Sequence, residues 1–196
     1  MVVTDEHKHR TGLGPIGYKV APRNRAQLRE IATSMRDLLR EEGCYRTDAG
    51  PDYLDATHLL ENVLQRAGYA FHPDDSGQLQ ETVAFAIPDR RLIVLREDIY
   101  NSLQEEAPFA RYTVVHEFSH IILEHALTLH RGATLGQHKW WEDSEWQANN
   151  LAAELLMPVD VVQNLGGKPL LLQAACGVSA PAAMHRINNL KKEGLL

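Results

Sequence analysis

Five consecutive residues carry the clearest chemistry in this chain: His116-Glu117-Phe118-Ser119-His120, an HExxH arrangement. On a helix, positions i and i+4 share one face, so the two imidazoles can grip a single ion. The acid directly after the first histidine then reaches a water at that ion and is the candidate general base. The flanks suit a helix crossing a core, since Val114, Val115, Phe118, Ile121, Ile122 and Leu123 are apolar. Alone, HExxH also arises by chance in amphipathic helices whose histidines are polar surface.

A hydrolytic zinc centre needs a third protein ligand and leaves one position for water or substrate. After twenty-four intervening residues beyond His120, the run Glu145-Trp146-Gln147-Ala148-Asn149 opens another helical pattern. Glu145, on a helix facing the first, is the expected third ligand of one Zn2+, as in thermolysin-like enzymes. Glu142, Asp143 and Glu154 are rivals. Glu142 falls before the helix, and Glu154 precedes apolar Leu155-Leu156-Met157 as a structural acid would. Asn149 lies one turn after Glu145 and is expected to accept a hydrogen bond from the non-ligating nitrogen of a zinc histidine. Tyr112, His130 and His138 are candidates to donate to a tetrahedral oxyanion. Trp140, Trp141 and Trp146 read as anchors of the ligand helix, with cleft lining as the other use. His7 and His9 read as a solvated tail.

The elements that must position these groups follow from periodicity. Residues 1–22, with Gly12, Gly14, Pro15, Gly17 and Pro22, read as a flexible leader, and 23–196 as one domain. Leu28, Ile31, Met35, Leu38 and Leu39 recur at helical spacing up to Gly43; a second helix spans about 54–66. A short strand follows at Tyr69. Thr82–Ile87 and Arg91–Leu95 read as a hairpin around Pro88-Asp89-Arg90, with the second run, Leu92–Leu95, as the edge that pairs with substrate. The HExxH helix is expected over 109–127, a loop over 131–141, and the Glu145 helix over 143–156. Residues 169–196 read as two short helices with a helix-turn-helix look, Ser179 capping the second. Helices, a small sheet and further helices make an α+β fold.

Composition narrows the function classes. A net charge of −6 argues against nucleic acid as a partner, since a nucleic-acid footprint needs a basic excess. Two distant cysteines, Cys44 and Cys176, read as reduced and structural. The N-terminus lacks an apolar signal region, and no run is long and apolar enough for a membrane span, so a cytoplasmic protein is expected.

HEFSH followed by Glu145-Trp-Gln-Ala-Asn-Asn-Leu-Ala-Ala-Glu-Leu-Leu-Met-Pro158 resembles the ImmA/IrrE family of zinc metallo-endopeptidases, of the gluzincin type. Ala110–Val115 and the tail from Cys176-Gly-Val-Ser through Arg186, Ile187 and Leu190 are similar to the family as well. The likeness covers roughly Leu92–Leu196. It implies a gluzincin-like domain with a small antiparallel-edged sheet on the active-site helix and a closing helical pair. It further implies a protein substrate, a helix-turn-helix repressor whose cleavage derepresses mobile-element or stress genes. Ser119 stands where the family has Gly. The family's histidine four residues after the second ligand is Glu124 here, with His125 beside it. Two other classes compete: a DNA-binding regulator using 170–196, and a non-hydrolytic metal-dependent partner-binding protein such as a toxin–antitoxin component.

Overall fold

A capping box starts α1 (Arg25–Glu41): Asn24 Oδ1 accepts the Gln27 N–H at 3.0 Å, and Gln27 Oε1 accepts the Asn24 N–H at 2.9 Å. Two otherwise orphaned donors are satisfied there. Leu28, Ala32 and Leu39 turn inward, while Leu38 is exposed. The computed structural model describes residues 15–46, 48–50, 52–75, 79, 82–125 and 137–196.

The second helical region starts later than its apolar pattern, because Asp55 caps it by accepting the His58 N–H and Leu54 is spent on a bridge to Tyr45. It is α2 (Ala56–His58), a π-helical turn (Leu59–Val63) and α3 (Leu64–Arg66), with Leu59, Leu60 and Leu64 buried. Three strands follow: β1 (Ala70–Asp74), β2 (Ala84–Ile87) and β3 (Leu92–Arg96), with a 3-10 turn at Pro88–Arg90 between the last two. Their order is β1-β3-β2, with β1 parallel and β2 antiparallel to β3. The hairpin is therefore present, but Leu92–Leu95 is not an edge: β3 is the central strand, and its inward residues Ile93 and Leu95 are buried. The edge beside the functional helix is β2.

Next come α4 (Glu97–Gln104) and α5 (Pro108–Ile122), the latter opened by a proline in its first turn. From Ala110 to Ser119 nearly every residue of α5 is buried, as befits a helix crossing the core. Ser119 is fully buried and donates to Val115 O at 2.7 Å, so a small hydroxyl fits that place. A 3-10 turn (Trp140–Glu142), α6 (Ser144–Leu156), α7 (Val159–Asn164), α8 (Pro169–Cys176) and α9 (Ala180–Lys192) complete the chain. Ser179 caps α9 by accepting the Ala182 N–H.

α6 packs between α5 and α1, and one buried cluster runs from Leu28 to Leu190, so α8 and α9 share the core of the earlier elements. Cys44 and Cys176 are buried and free. Residues 15–22 depart from the flexible leader expected over 1–22. They lie along the start of α6, where the Gly17 N–H donates to Asp143 Oδ2, Tyr18 and Ser144 bond each other, and the Val20 N–H donates to Glu142 O. The earlier part of that leader, with His7 and His9, lies outside the described residues. None of the described helices is long and apolar enough to cross a membrane.

Candidate metal centre

α5 and α6 present their functional side chains to each other. His116 and His120 project from one face of α5, with their Nε2 atoms 3.1 Å apart. Glu145, in the first turn of α6, sets Oε2 3.3 Å from His116 Nε2 and Oε1 3.3 Å from His120 Nε2. A tetrahedral zinc ion with ligands at about 2.0–2.1 Å has ligand–ligand edges of about 3.3 Å. The separations are close to that edge, although the two to Glu145 are made by different oxygens, so the residues present fit one small divalent ion, and the donor set of two imidazoles and a carboxylate suits zinc.

The electrostatics point the same way. Burial pushes the Glu145 carboxyl up, but hydrogen bonds from His116 and His120 outweigh it and hold the group far below the usual carboxylate range. Burial likewise opposes a charge on His116, yet Glu145, then Glu117 and Asn149, raise its pKa above the ordinary value. His116 is buried and the His120 and Glu145 side chains are largely so, and a cation would neutralise the carboxylate and take the imidazole lone pairs of such a set.

The rival acids are all employed elsewhere. Glu142 accepts the Lys139 N–H and pairs with Lys19 at 3.6 Å. Asp143 is fully buried as the cap of α6, accepting from the N–H groups of Trp146 and Gly17 and pairing with His138. Glu154 is held between Arg29 and Arg186.

Glu117 is buried beside the cluster, and its Oε2 accepts the Ala86 N–H of β2 at 2.8 Å. The edge strand thus fixes the candidate base. Asn149 faces the centre from α6 and supports the charge on His116. Its Oδ1 accepts from the Tyr112 hydroxyl, and His116 Nδ1 is buried with no hydrogen bond of good geometry. The Tyr112 and His138 side chains, two of the three proposed oxyanion donors, are engaged with Asn149 and Asp143; His130 lies outside the described residues. Trp146 packs against the core beneath Arg25, whereas Trp140 and Trp141 are exposed on the 3-10 turn.

Two neighbours of the cluster were given no role by the sequence reading. His125 Nδ1 lies 2.8 Å from His120 Nδ1, and His125 Nε2 lies 3.2 Å from Gln147 Oε1. Burial, then His120, push the His125 imidazolium down to about 3. The contact exists because α5 ends at Ile122 and Glu124 adopts a left-handed φ of 54°, which swings His125 back. The two histidines are five positions apart, a spacing that an unbroken helix would not bring together.

An α+β domain whose core helix and facing helix assemble two imidazoles and a carboxylate, with a buried acid alongside, has the makings of a metallopeptidase. The IrrE N-terminal-like domain, Peptidase_M78, matches residues 85–188, more than half of the chain. The chain belongs to this peptidase family. Neither curated proteins nor solved structures yield a match.

Proposed function

We propose that this protein is a zinc-dependent endopeptidase, with His116, His120 and Glu145 as ligands, whose substrate is a helix-turn-helix repressor. One observation carries the catalytic part: the Nε2 atoms of His116 and His120 lie 3.1 Å apart, each 3.3 Å from an oxygen of the Glu145 carboxylate, with the buried Glu117 beside them. A bound divalent ion would supply Lewis acidity, lowering the pKa of water toward about 7 and polarising a peptide carbonyl. Glu117, anchored through one oxygen by Ala86, uses the other to take a proton from the attacking water. As the water oxygen bonds to the carbonyl carbon and the C–N bond breaks, Glu117 passes that proton to the leaving amine. A buried carboxylate held in place spends no energy on reorientation during this transfer. The substrate runs extended along β2, the edge strand nearest Glu117, rather than along β3.

The repressor as substrate rests on the family likeness of HEFSH and the α6 sequence, and the acidic chain is consistent with a protein rather than a DNA target. Incubation with candidate helix-turn-helix regulators, sought first among the products of neighbouring genes, tests both parts. The wild type should yield two fragments, while Glu117→Gln should retain zinc and lose about 10²–10⁴-fold in rate. A Glu117→Gln protein cutting at the wild-type rate removes Glu117 as the base; an intact regulator with zinc-loaded enzyme removes the repressor.

A further inference from the structure

Behind His120 the hydrogen bonds fix a proton inventory. Gln147 Nε2 lies 2.8 Å from Ala21 O and 2.8 Å from Trp141 O. Carbonyl oxygens only accept, so the amide nitrogen must face them and Oε1 must face the other way. That oxygen meets His125 Nε2 at 3.2 Å and Arg23 Nη1 at 3.3 Å. His125 Nε2 therefore carries a hydrogen. His120 can ligate through Nε2 only with its own hydrogen on Nδ1, and that Nδ1 faces His125 Nδ1 at 2.8 Å, so His120 is the donor and His125 Nδ1 the acceptor.

We propose that His125 is a positioning residue of the metal centre: it accepts the Nδ1–H of His120 and so holds the Nε2 lone pair of His120 toward Glu145 and His116. The proposal rests on the metal-site reading above and adds a residue to it. Metal-bound histidines ordinarily lean on a carboxylate, carbonyl or water; here the partner is a neutral imidazole, itself locked by Gln147. The left-handed turn at Glu124 is what delivers it, and Gln147 ties it to the backbone at Ala21 and Trp141. No negative charge is added behind His120 by this arrangement.

The test uses the full chain as wild type, His125→Leu and His125→Gln. Zinc affinity is measured by competition with a chromophoric chelator, ligand-field spectra are recorded on the cobalt-loaded forms, and melting is followed on the metal-free forms. His125→Leu should bind zinc about 10–100-fold more weakly and shift the cobalt bands. His125→Gln, whose amide can both accept from His120 and donate to Gln147, should recover most of the affinity while melting alongside His125→Leu without metal. Wild-type affinity in His125→Leu would overturn the proposal. So would equal weakness of both variants tracking an equal loss of metal-free stability, which marks a packing role. A wild type that takes up no metal overturns the proposal together with the reading beneath it. Zinc binding that depends on His125 in a protein that cleaves nothing supports the proposal and contradicts only the peptidase assignment.

Discussion

At the scale of single residues, the centre stores its electrostatics in a carboxylate facing two imidazoles. In the metal-free protein, Glu145 is depressed and His116 raised. A depressed acid contributes stability above its unfolded pKa of about 4.3, and that contribution is lost as pH falls through the folded value. A raised histidine contributes below its unfolded pKa of about 6.5, and the gain is lost as pH rises through the folded value. The stability advantage of chelator-treated wild type over Glu145→Gln should therefore be largest between about pH 4.3 and 6.5 and shrink on both sides. Melting across pH checks this; an advantage that grows steadily toward alkaline pH contradicts it. Arg186 makes a second residue-scale case. It is buried against Glu154 and Met157 O, so Arg186→Met should leave a buried acid with Arg29 as its remaining partner and cost about 3 kcal/mol in denaturant unfolding. HExxH was legible because its geometry is local, two ligands one turn apart. His125 and Gln147 were not, because their meeting depends on a left-handed residue and on a helix far along the chain.

Among the elements, the least expected is the strap of residues 15–22 across the start of α6. Its glycines and prolines show backbone freedom but not a partner, and the partners of Gly17 and Tyr18 are 126 residues away. A Cβ on Gly17 would come within 2.7 Å of Glu145 N and 2.9 Å of Glu145 Cγ. Gly17→Val should therefore lift the strap, cost about 1–3 kcal/mol and weaken metal binding through Glu145. Denaturant unfolding with zinc competition checks both; unchanged values on each count would mean that the strap does not brace the ligand. The sheet was half legible for the same reason. Alternation and the Pro88-Asp89-Arg90 turn reveal the local hairpin, whereas the parallel pairing of β1 with β3, which moves Leu92–Leu95 to the centre, is not a local property. Two short helices, α4 and α7, were missed because each buries only two apolar residues.

For the molecule as a whole, the α8–α9 pair is the part that invited a DNA-binding reading. Leu172, Ile187 and Leu190 are spent on the common core, and Arg186 is committed to Glu154. Lys191 and Lys192 remain exposed on a chain of net charge −6. No salt-sensitive shift of duplex DNA is expected at physiological ionic strength; a shift that weakens steeply with salt would restore that reading. The α+β class and the tail's helical character were readable from periodicity and Gly177-Val178-Ser179. Their burial in the common core was not, since the interior is assembled from distant segments.

The central claim is that α5 and α6 bring His116, His120 and Glu145 to one ion, and metal analysis of the purified chain after exposure to equimolar zinc tests it most directly. One tightly held zinc per wild-type chain, with loss of most of it in Glu145→Ala and in His120→Ala, is the predicted result. Zinc retained in full by both variants, or no zinc taken up by the wild type, would contradict it.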